Sequence, residues 1–367
     1  MINTTLLDKL VFEVRRRKLD AFFAAPSAEL TALIGISPFY CFRIQGLLVC
    51  KDGRCAYLCN CLSADEISKG IPDIPVYAWH DNTGYLDTVH EMLREFNLIG
   101  GKIGVNKTVR AFDVLSIMEH MSVSFTDAGE LFSEITISKS EQEIAYMRDA
   151  ARIAGTALKE TIPVIHPGMT EQDLRRALIE KMRSLGGEAP EAMIASGPNS
   201  GYPHYFDESR TLQMGDTVLI DYGCAYHDYR TDITRMVYLG EMNDLQKEIF
   251  NITLKANRAA ISAIVSGERW IPSIDSAART VINDEGYGEN FTTRLGHGIG
   301  VMGHESPDIK AINLRMLEGG MTFSIEPGIY LGSKGGARVE DCVCILPSGV
   351  PEVLTDSIPR DPIVLLF

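Results

Sequence analysis

Apolar and polar positions along this chain fall into two rhythms. Leu6, Leu10 and Val14 stand four residues apart, which predicts an amphipathic helix over about 5–18. The apolar run Ala21–Ala25 reads as a strand. In GLLVCKDGRCAYLCNC two apolar segments flank Asp52-Gly53, a hairpin-turn dipeptide. Helical spacing returns near 84–97, with Leu86, Val89, Leu93 and Phe96 on one face. A strand at Lys102–Val105, a short helix at 111–120 and a strand at Ser122–Phe125 follow. Such βα alternation predicts a partly parallel sheet with helices packed on it.

The pattern changes near Thr136–Ser138, which divides the chain into residues 1–137 and 138–367. Ser140 and Glu143 form a capping-box sequence ahead of a long stripe of Ile144, Met147, Ala151, Ala154 and Leu158. Pro167-Gly168 breaks that helix, and Thr170 to Asp173 opens a second one through Leu174, Leu178, Met182 and Leu185. Strand-like segments follow to Tyr238. The order then recurs: a helix over about 244–265, another from Ser273 to before Gly286, and more strand-like segments. Helix, helix and strands, twice over, predict a duplicated α+β unit.

The duplication is visible residue by residue. Slid by 105 positions, Leu212–Gly223 (LQMGDTVLIDYG) falls on Leu317–Gly328 (LEGGMTFSIEPG). Leu212, Gly215, Thr217, Ile220 and Gly223 meet identical residues, and Asp221 meets Glu326. After a three-residue insertion, Arg230-Thr231-Asp232 meets Arg338-Val339-Glu340. Each half therefore offers two carboxylates, one at a strand end and one on the returning strand. A repeat fixes architecture before anything else, and this one predicts four carboxylates converging on a pseudo-two-fold axis.

Composition narrows the classes. The 367 residues are 45 % apolar and 23 % charged, which is ordinary for a globular protein with a sizeable core. No apolar run reaches the roughly 18 residues of a membrane helix, and MINTTLLDKLVFEVRRRK lacks a signal-peptide core. The net charge of −14 without a Lys/Arg run argues against nucleic acid or an anionic membrane as partner. A cytoplasmic location with free thiols is the expectation for the eight cysteines. Cys50, Cys55, Cys59 and Cys61 lack the paired spacing of a structural zinc site and read as hairpin positions. His80, His90 and His120 are isolated and read as surface or core histidines, and His227 as a hairpin-tip residue.

Four carboxylates brought together need protons or cations between them. Oxygen donors of this kind suit hard or borderline divalent ions, and can bridge two ions roughly 3.5–4 Å apart. Nitrogen donors are at hand. Gly296-His297-Gly298 sets His297 between glycines, so that the backbone approaches closely and the imidazole stays uncovered. Gly303-His304-Glu305 offers a second histidine seven residues on, and Pro203-His204-Tyr205 a third ahead of the first copy.

SGPNSGYPHY, DYG with the aspartate of RTDITR eleven residues later, GHGIG followed by HE, SIEPGIY and GARVEDCV together resemble the pita-bread metallohydrolases. That family includes aminopeptidase P, prolidase, methionine aminopeptidase and creatinase. The motifs cover about 190–345. The resemblance implies an α+β chain: a creatinase/prolidase-like α/β domain over 1–137, then a pita-bread catalytic domain over 138–367. It implies two divalent ions per subunit (Mn, Co or Zn), Asp221 a terminal ligand of one, His297 and Glu326 of the other, Asp232 and Glu340 bridging. It implies that His204 and His304 contact the substrate carbonyl and that Arg338 pairs with a ligand carboxylate or a substrate carboxylate. Glu326 would take a proton from a bridging water and pass it to the leaving amine. Hydrolysis of Xaa-Pro bonds in short peptides by a homodimer follows from the same resemblance.

Prolidase-like members usually carry a histidine four residues before the metal histidine, a small hydroxyl residue two before it, and an apolar residue before the second histidine. This chain has Thr293, Leu295 and Gly303 there. Those positions are expected to line the substrate side, which keeps a small non-peptide amide as the alternative substrate class. A binding module without turnover requires lost ligands, and all five are kept.

Overall fold

The computed structural model describes residues 2–367, in two compact units, Met1–Thr136 and Ile137–Phe367. In the first, α1 (Thr4–Arg16), β1 (Ala21–Ala24) and α2 (Ala28–Ile34) precede the hairpin β2 (Gly46–Cys50) and β3 (Cys55–Asn60). Then come α3 (Cys61–Gly70), β4 (Val76–Trp79), α4 (Leu86–Glu95), β5 (Lys102–Val105), α5 (Ala111–His120), β6 (Ser124–Asp127) and α6 (Glu130–Thr136). The strands form one mixed sheet in the order β4-β3-β2-β1-β5-β6, antiparallel at β1–β2 and β2–β3 and parallel elsewhere. Leu10, Val14, Phe22, Leu47 and Phe132 pack on one face, and Phe23, Leu48, Leu58, Val89 and Leu93 on the other.

Three short helices, α2, α3 and α6, escape the sequence pattern, and one strand is displaced from it. α2 is a single pair of turns held by Ser27 at its start and by left-handed Gly35 at its end. α3 begins at the residue after β3, where Asn60 accepts from the Leu62 amide, so no turn residues separate strand from helix. β6 lies two residues later than its apolar pattern predicts. Its register is set by Lys102 pairing with Ser124, and Gly100 and Gly101 hold Ser122 and Ser124.

The second unit opens with α7 (Glu141–Thr161) and α8 (Glu171–Ser184), both started by complete capping boxes, Ser140/Glu143 and Thr170/Asp173. Strands β7 (Glu188–Ser196), β8 (Thr217–Tyr226), β9 (Tyr229–Arg230) and β10 (Ile233–Leu239) follow. The second half has α9 (Asp244–Val265) and α10 (Ile271–Asp284). Its strands are β11 (Gly296–Gly298), β12 (Glu305–Ile309), β13 (Thr322–Ile325), β14 (Gly328–Tyr330), β15 (Gly336–Arg338), β16 (Asp341–Ile345) and β17 (Pro351–Val353). β18 (Ile363–Leu365) returns to the first half and pairs with β10.

The repeat is structural. β8 pairs antiparallel with β10, and β13 with β16. Where β8 runs unbroken, its copy is split into β13 and β14 around Glu326-Pro327. Proline has no N–H for a ladder bond and interrupts the strand there. The two sheets meet at a bridge between Thr234 and Glu340, where the Glu340 amide donates to the Thr234 carbonyl at 3.3 Å. α7 and α8 cover the first sheet, with Leu158, Leu174, Leu178 and Met182 against Val218, Ile220 and Val237. α9 and α10 cover the second, with Ile249, Ala256, Ala260, Ile264, Ile274 and Ile282 against Phe323, Ile325 and Val343. The polar faces left at the seam carry the repeated carboxylates.

Candidate metal centre

Asp221 sits within β8, Asp232 on the turn between β9 and β10, Glu326 just past β13 and Glu340 between β15 and β16. The strand-end placement expected for the first carboxylate holds for Glu326 but not for Asp221. Unlike Glu326, Asp221 has no proline after it to end its strand. His297 is the middle residue of β11. Three overlapping sets have ligand atoms all within 4.8 Å of one another: Asp221, Asp232 and Glu340; His297, Glu326 and Glu340; and Asp232, His297 and His304. Glu340 joins the first two sets, and Asp232 joins the first and third.

His297 is 3 % exposed, not uncovered as its flanking glycines suggested. Those glycines have another purpose. A Cβ on Gly296 would lie 1.9 Å from the Ser324 carbonyl oxygen, so only glycine lets β11 press this closely on β13. The imidazole Nδ1 lies 3.0 Å from the Gly298 carbonyl, which fixes it as the donor. Nε2 then carries the lone pair, and it faces Glu326 Oε1 at 3.2 Å and Asp232 Oδ2 at 3.7 Å. A lone pair aimed at two carboxylates is repulsive unless a proton or a metal cation lies between them, and a proton there becomes the hydrogen bond from His297 to Glu326. Fixing Nδ1 on a carbonyl is also how metal-ligating histidines are commonly oriented.

The charges give the same answer. Asp232 and Glu340 are held well above the usual carboxylate range, first by burial and then by the neighbouring carboxylates. Burial also raises Glu326, but its hydrogen bond to His297 and the nearby His297 and Arg338 outweigh that and leave it below its ordinary value. Divalent cations would replace the protons the first pair otherwise needs. The residues fit such ions in donor type, in spacing and in charge.

Arg338 is 4 % exposed and fully engaged. Nη2 donates to Asp221 Oδ2 at 2.5 Å, Nε to Thr234 Oγ1 at 2.9 Å, and Nη1 to the Tyr330 hydroxyl at 3.0 Å and the Pro203 carbonyl at 3.1 Å. Of the two kinds of partner expected for it, a carboxylate of this cluster is the one it meets, that of Asp221. Thr234 in turn donates to Glu340 Oε2 at 2.7 Å. One arginine and one threonine thus tie an aspartate of the first copy to a glutamate of the second.

His304 is exposed, with its ring edge-on to that of His297 at a centroid distance of 3.9 Å. Desolvation, with His297 and Arg294 adding to it, pushes its pKa down to about 4, so the ring is neutral near pH 7. His204 is exposed on the segment after the turn Gly197–Gly201. His227 lies at the β8–β9 tip, stacked at 4.6 Å on Tyr146. His80, His90 and His120 are exposed in the first unit. All eight cysteines are free.

Leu295 departs from expectation. It is wholly buried in the core that α9 and α10 cover, not on the substrate side. Its amide bonds Ile309 and its carbonyl accepts from the Glu326 amide at 2.8 Å, which turns its side chain inward. Thr293 is partly buried, with its carbonyl bound by Arg279. A Cβ on Gly303 would meet only Glu191, at 4.0 Å, so the space beside His304 is open.

A polar hub lies behind the carboxylates. Arg235 is 1 % exposed and donates to the Glu340 and Thr234 carbonyls and to Asp341. Asn257, from the middle of α9, sends its amide nitrogen to the Ile325 and Val339 carbonyls and to Asp341, at 3.1, 3.2 and 3.2 Å. These carbonyls immediately precede Glu326 and Glu340. Arg235 and Asp341 adjoin recognised residues and were within reach of the pattern; Asn257 was not.

Residues 145–347 match metallopeptidase family M24. The Xaa-Pro dipeptidase of Pyrococcus furiosus is 32 % identical over 346 residues, 94 % of this chain and 95 % of that protein. Among solved structures, a dipeptidase from Pyrococcus horikoshii superposes with a TM-score of 0.88 at 32 % identity, over 98 % of this chain and 100 % of the other. A prolidase from Thermococcus sibiricus gives 0.90 at 28 % identity, over 98 % of each chain.

Proposed function

The chain belongs to metallopeptidase family M24, and on that premise we propose that it hydrolyses Xaa-Pro bonds in short peptides. The carrying observation is that the four repeated carboxylates and His297 fall into overlapping sets of ligand atoms joined through Glu340. Full-length similarity to an Xaa-Pro dipeptidase supports the substrate class.

In this reading Asp221, Asp232, His297, Glu326 and Glu340 would hold two divalent ions. When bound, the ions supply Lewis acidity and lower the pKa of water toward neutrality. Glu326, ionised at neutral pH, accepts the proton of the attacking water and returns it to the leaving proline nitrogen. Neutral His304 donates a hydrogen bond to the substrate carbonyl oxygen as charge develops there, and His204 approaches it from the first half. Arg338 holds Asp221 and leaves the substrate to other groups. Proline has no amide hydrogen, so this scheme asks no donor of the scissile nitrogen. A cytoplasmic homodimer with manganese, cobalt or zinc completes the reading.

The test is a panel of Xaa-Pro dipeptides, Xaa-Pro-Xaa tripeptides and small cyclic or N-acyl amides, with Mn²⁺ or Co²⁺ added. Cleavage before proline supports the proposal. Turnover confined to the non-peptide amides moves the chain to the alternative substrate class, and no turnover at all removes both.

A further inference from the structure

We propose that the buried Lys139–Glu305 ion pair is a positioning device that sets His304 against the substrate carbonyl. The inference rests on the hydrolase reading above and adds two residues to it.

Lys139 is 4 % exposed, and the side chains of Lys139 and Glu305 are 2 % and 6 % exposed. Lysine is rarely buried so deeply unless a carboxylate compensates it, and Glu305 supplies that carboxylate through a direct ion pair. The backbone of Lys139 is anchored independently, its amide donating to the Gly320 carbonyl at 2.8 Å beside the Ser138–Met321 bridge. The cation is therefore a fixed point. Glu305 follows His304 in the chain and opens β12, where it pairs with Gly298, the residue after His297.

The loop that presents His304 is built around this pair. A Cβ on Gly300 would lie 2.6 Å from Glu305 Oε1 and 2.7 Å from Lys139 Cε, so the glycine vacates the space that the pair fills. From the other side, the Arg230 amide donates to the Gly300 carbonyl at 2.8 Å and its guanidinium to the Val301 carbonyl at 3.2 Å. The segment 300–305 is thus clamped at both ends, while the His304 ring is exposed. A buried charge pair costs desolvation and is a poor source of stability in itself. Its directionality fixes where the chain turns out toward the cleft.

The experiment is a double-mutant cycle on the metal-loaded full chain, with Lys139→Met, Glu305→Gln and His304→Ala, read on an Xaa-Pro dipeptide. Melting temperature and metal content are recorded in parallel. The expected result is a kcat loss of at least about tenfold for Lys139→Met, with KM and metal content little changed, as for residues that orient a site from behind. Lys139→Arg should recover most of it. In the His304→Ala background, Lys139→Met should cost less than about twofold, because the two act through one group. Equal losses in both backgrounds, or a folded Lys139→Met with wild-type kcat, overturn the inference. Should Lys139→Met not fold, Glu305→Gln takes its place in the same cycle with the same criteria. A readout independent of turnover is the nitrogen spectrum of ¹⁵N-histidine-labelled, zinc-loaded protein. Lys139→Met should move or broaden the His304 ring signals and leave those of the exposed His80 and His120 in place. A wild-type chain that cleaves no Xaa-Pro peptide but shows this spectral change removes the hydrolase reading and keeps the positioning pair. Unmoved His304 signals remove the pair.

Discussion

Replacing Arg338 by methionine separates its two candidate duties. The side chain is 4 % exposed and makes four donations, one to a metal-site carboxylate and three to neutral oxygens. Removing one partner of a buried pair costs about 3–5 kcal/mol. The lower end applies here, because Asp221 keeps 29 % of its side-chain surface in water. A loss of about 3 kcal/mol corresponds to a fall of about 6–12 °C in the melting of a unit this size. Metal affinity should fall about 10–100-fold, the usual effect of removing a group behind a ligand, which is about 1.4–2.7 kcal/mol. Arg338→Lys should recover little, because an ammonium cannot reach Asp221, Thr234, Tyr330 and Pro203 with one planar fork. The assay is titration of metal-free variants with Mn²⁺ by calorimetry, alongside thermal melting and steady-state kinetics. Unchanged Mn²⁺ affinity together with a large rise in KM would refute the reasoning, for it would mean that Arg338 serves the substrate.

Three other outcomes follow from the geometry. Asp232 and Glu340 have folded-state values raised above the ordinary 3.8 and 4.5, so the metal-free fold loses stability as pH rises through the raised values. Glu326 and Asp341 are lowered and act only below the ordinary range, and His304 acts with opposite sign between about 4 and 6.5. Calorimetry of metal-free protein should therefore show this pair lowering the melting temperature as pH rises through their raised values, and saturating metal should abolish that contribution; an identical pH profile with and without metal contradicts it. Asn257→Leu should cost about 2–4 kcal/mol in denaturant unfolding and also weaken Mn²⁺ binding, because the carbonyls before Glu326 and Glu340 lose their shared donor; a pure stability loss would make the hub structural only. Leu295→Thr should lower stability by about 2–4 kcal/mol and leave the preference among Xaa-Pro substrates unchanged, since the side chain lies in the core; a changed substrate order with intact melting would put Leu295 back in the cleft.

The sequence is most explicit where one local rule decides. Capping boxes at Ser140 and Thr170 start helices at the residues expected, and the hairpin at Asp52-Gly53 folds as its dipeptide dictates. The 105-residue repeat shows which carboxylates belong together, because duplication copies strand pairing along with side chains. Features that depend on long-range packing are not legible this way. Glycines around His297 suggest an open imidazole, yet they let β11 sink against β13 and bury it. Leu295 looks like a substrate position by its distance from His297, but a core behind the strand draws it inward. Asn257 is one polar residue on an amphipathic helix, and only the fold reveals that its amide holds the carbonyls just before Glu326 and Glu340.

The central claim is that Asp221, Asp232, His297, Glu326 and Glu340 hold two divalent ions that cleave the bond before proline. Its most direct test is a titration of metal-free protein with Mn²⁺, following proline release from an Xaa-Pro dipeptide, on the wild type and on Glu340→Ala. The account predicts no release without metal, activity that reaches its plateau at two equivalents per chain, and loss of both bound equivalents in Glu340→Ala. Proline release that is indifferent to metal, or a Glu340→Ala variant that binds two ions and turns over like the wild type, would contradict it.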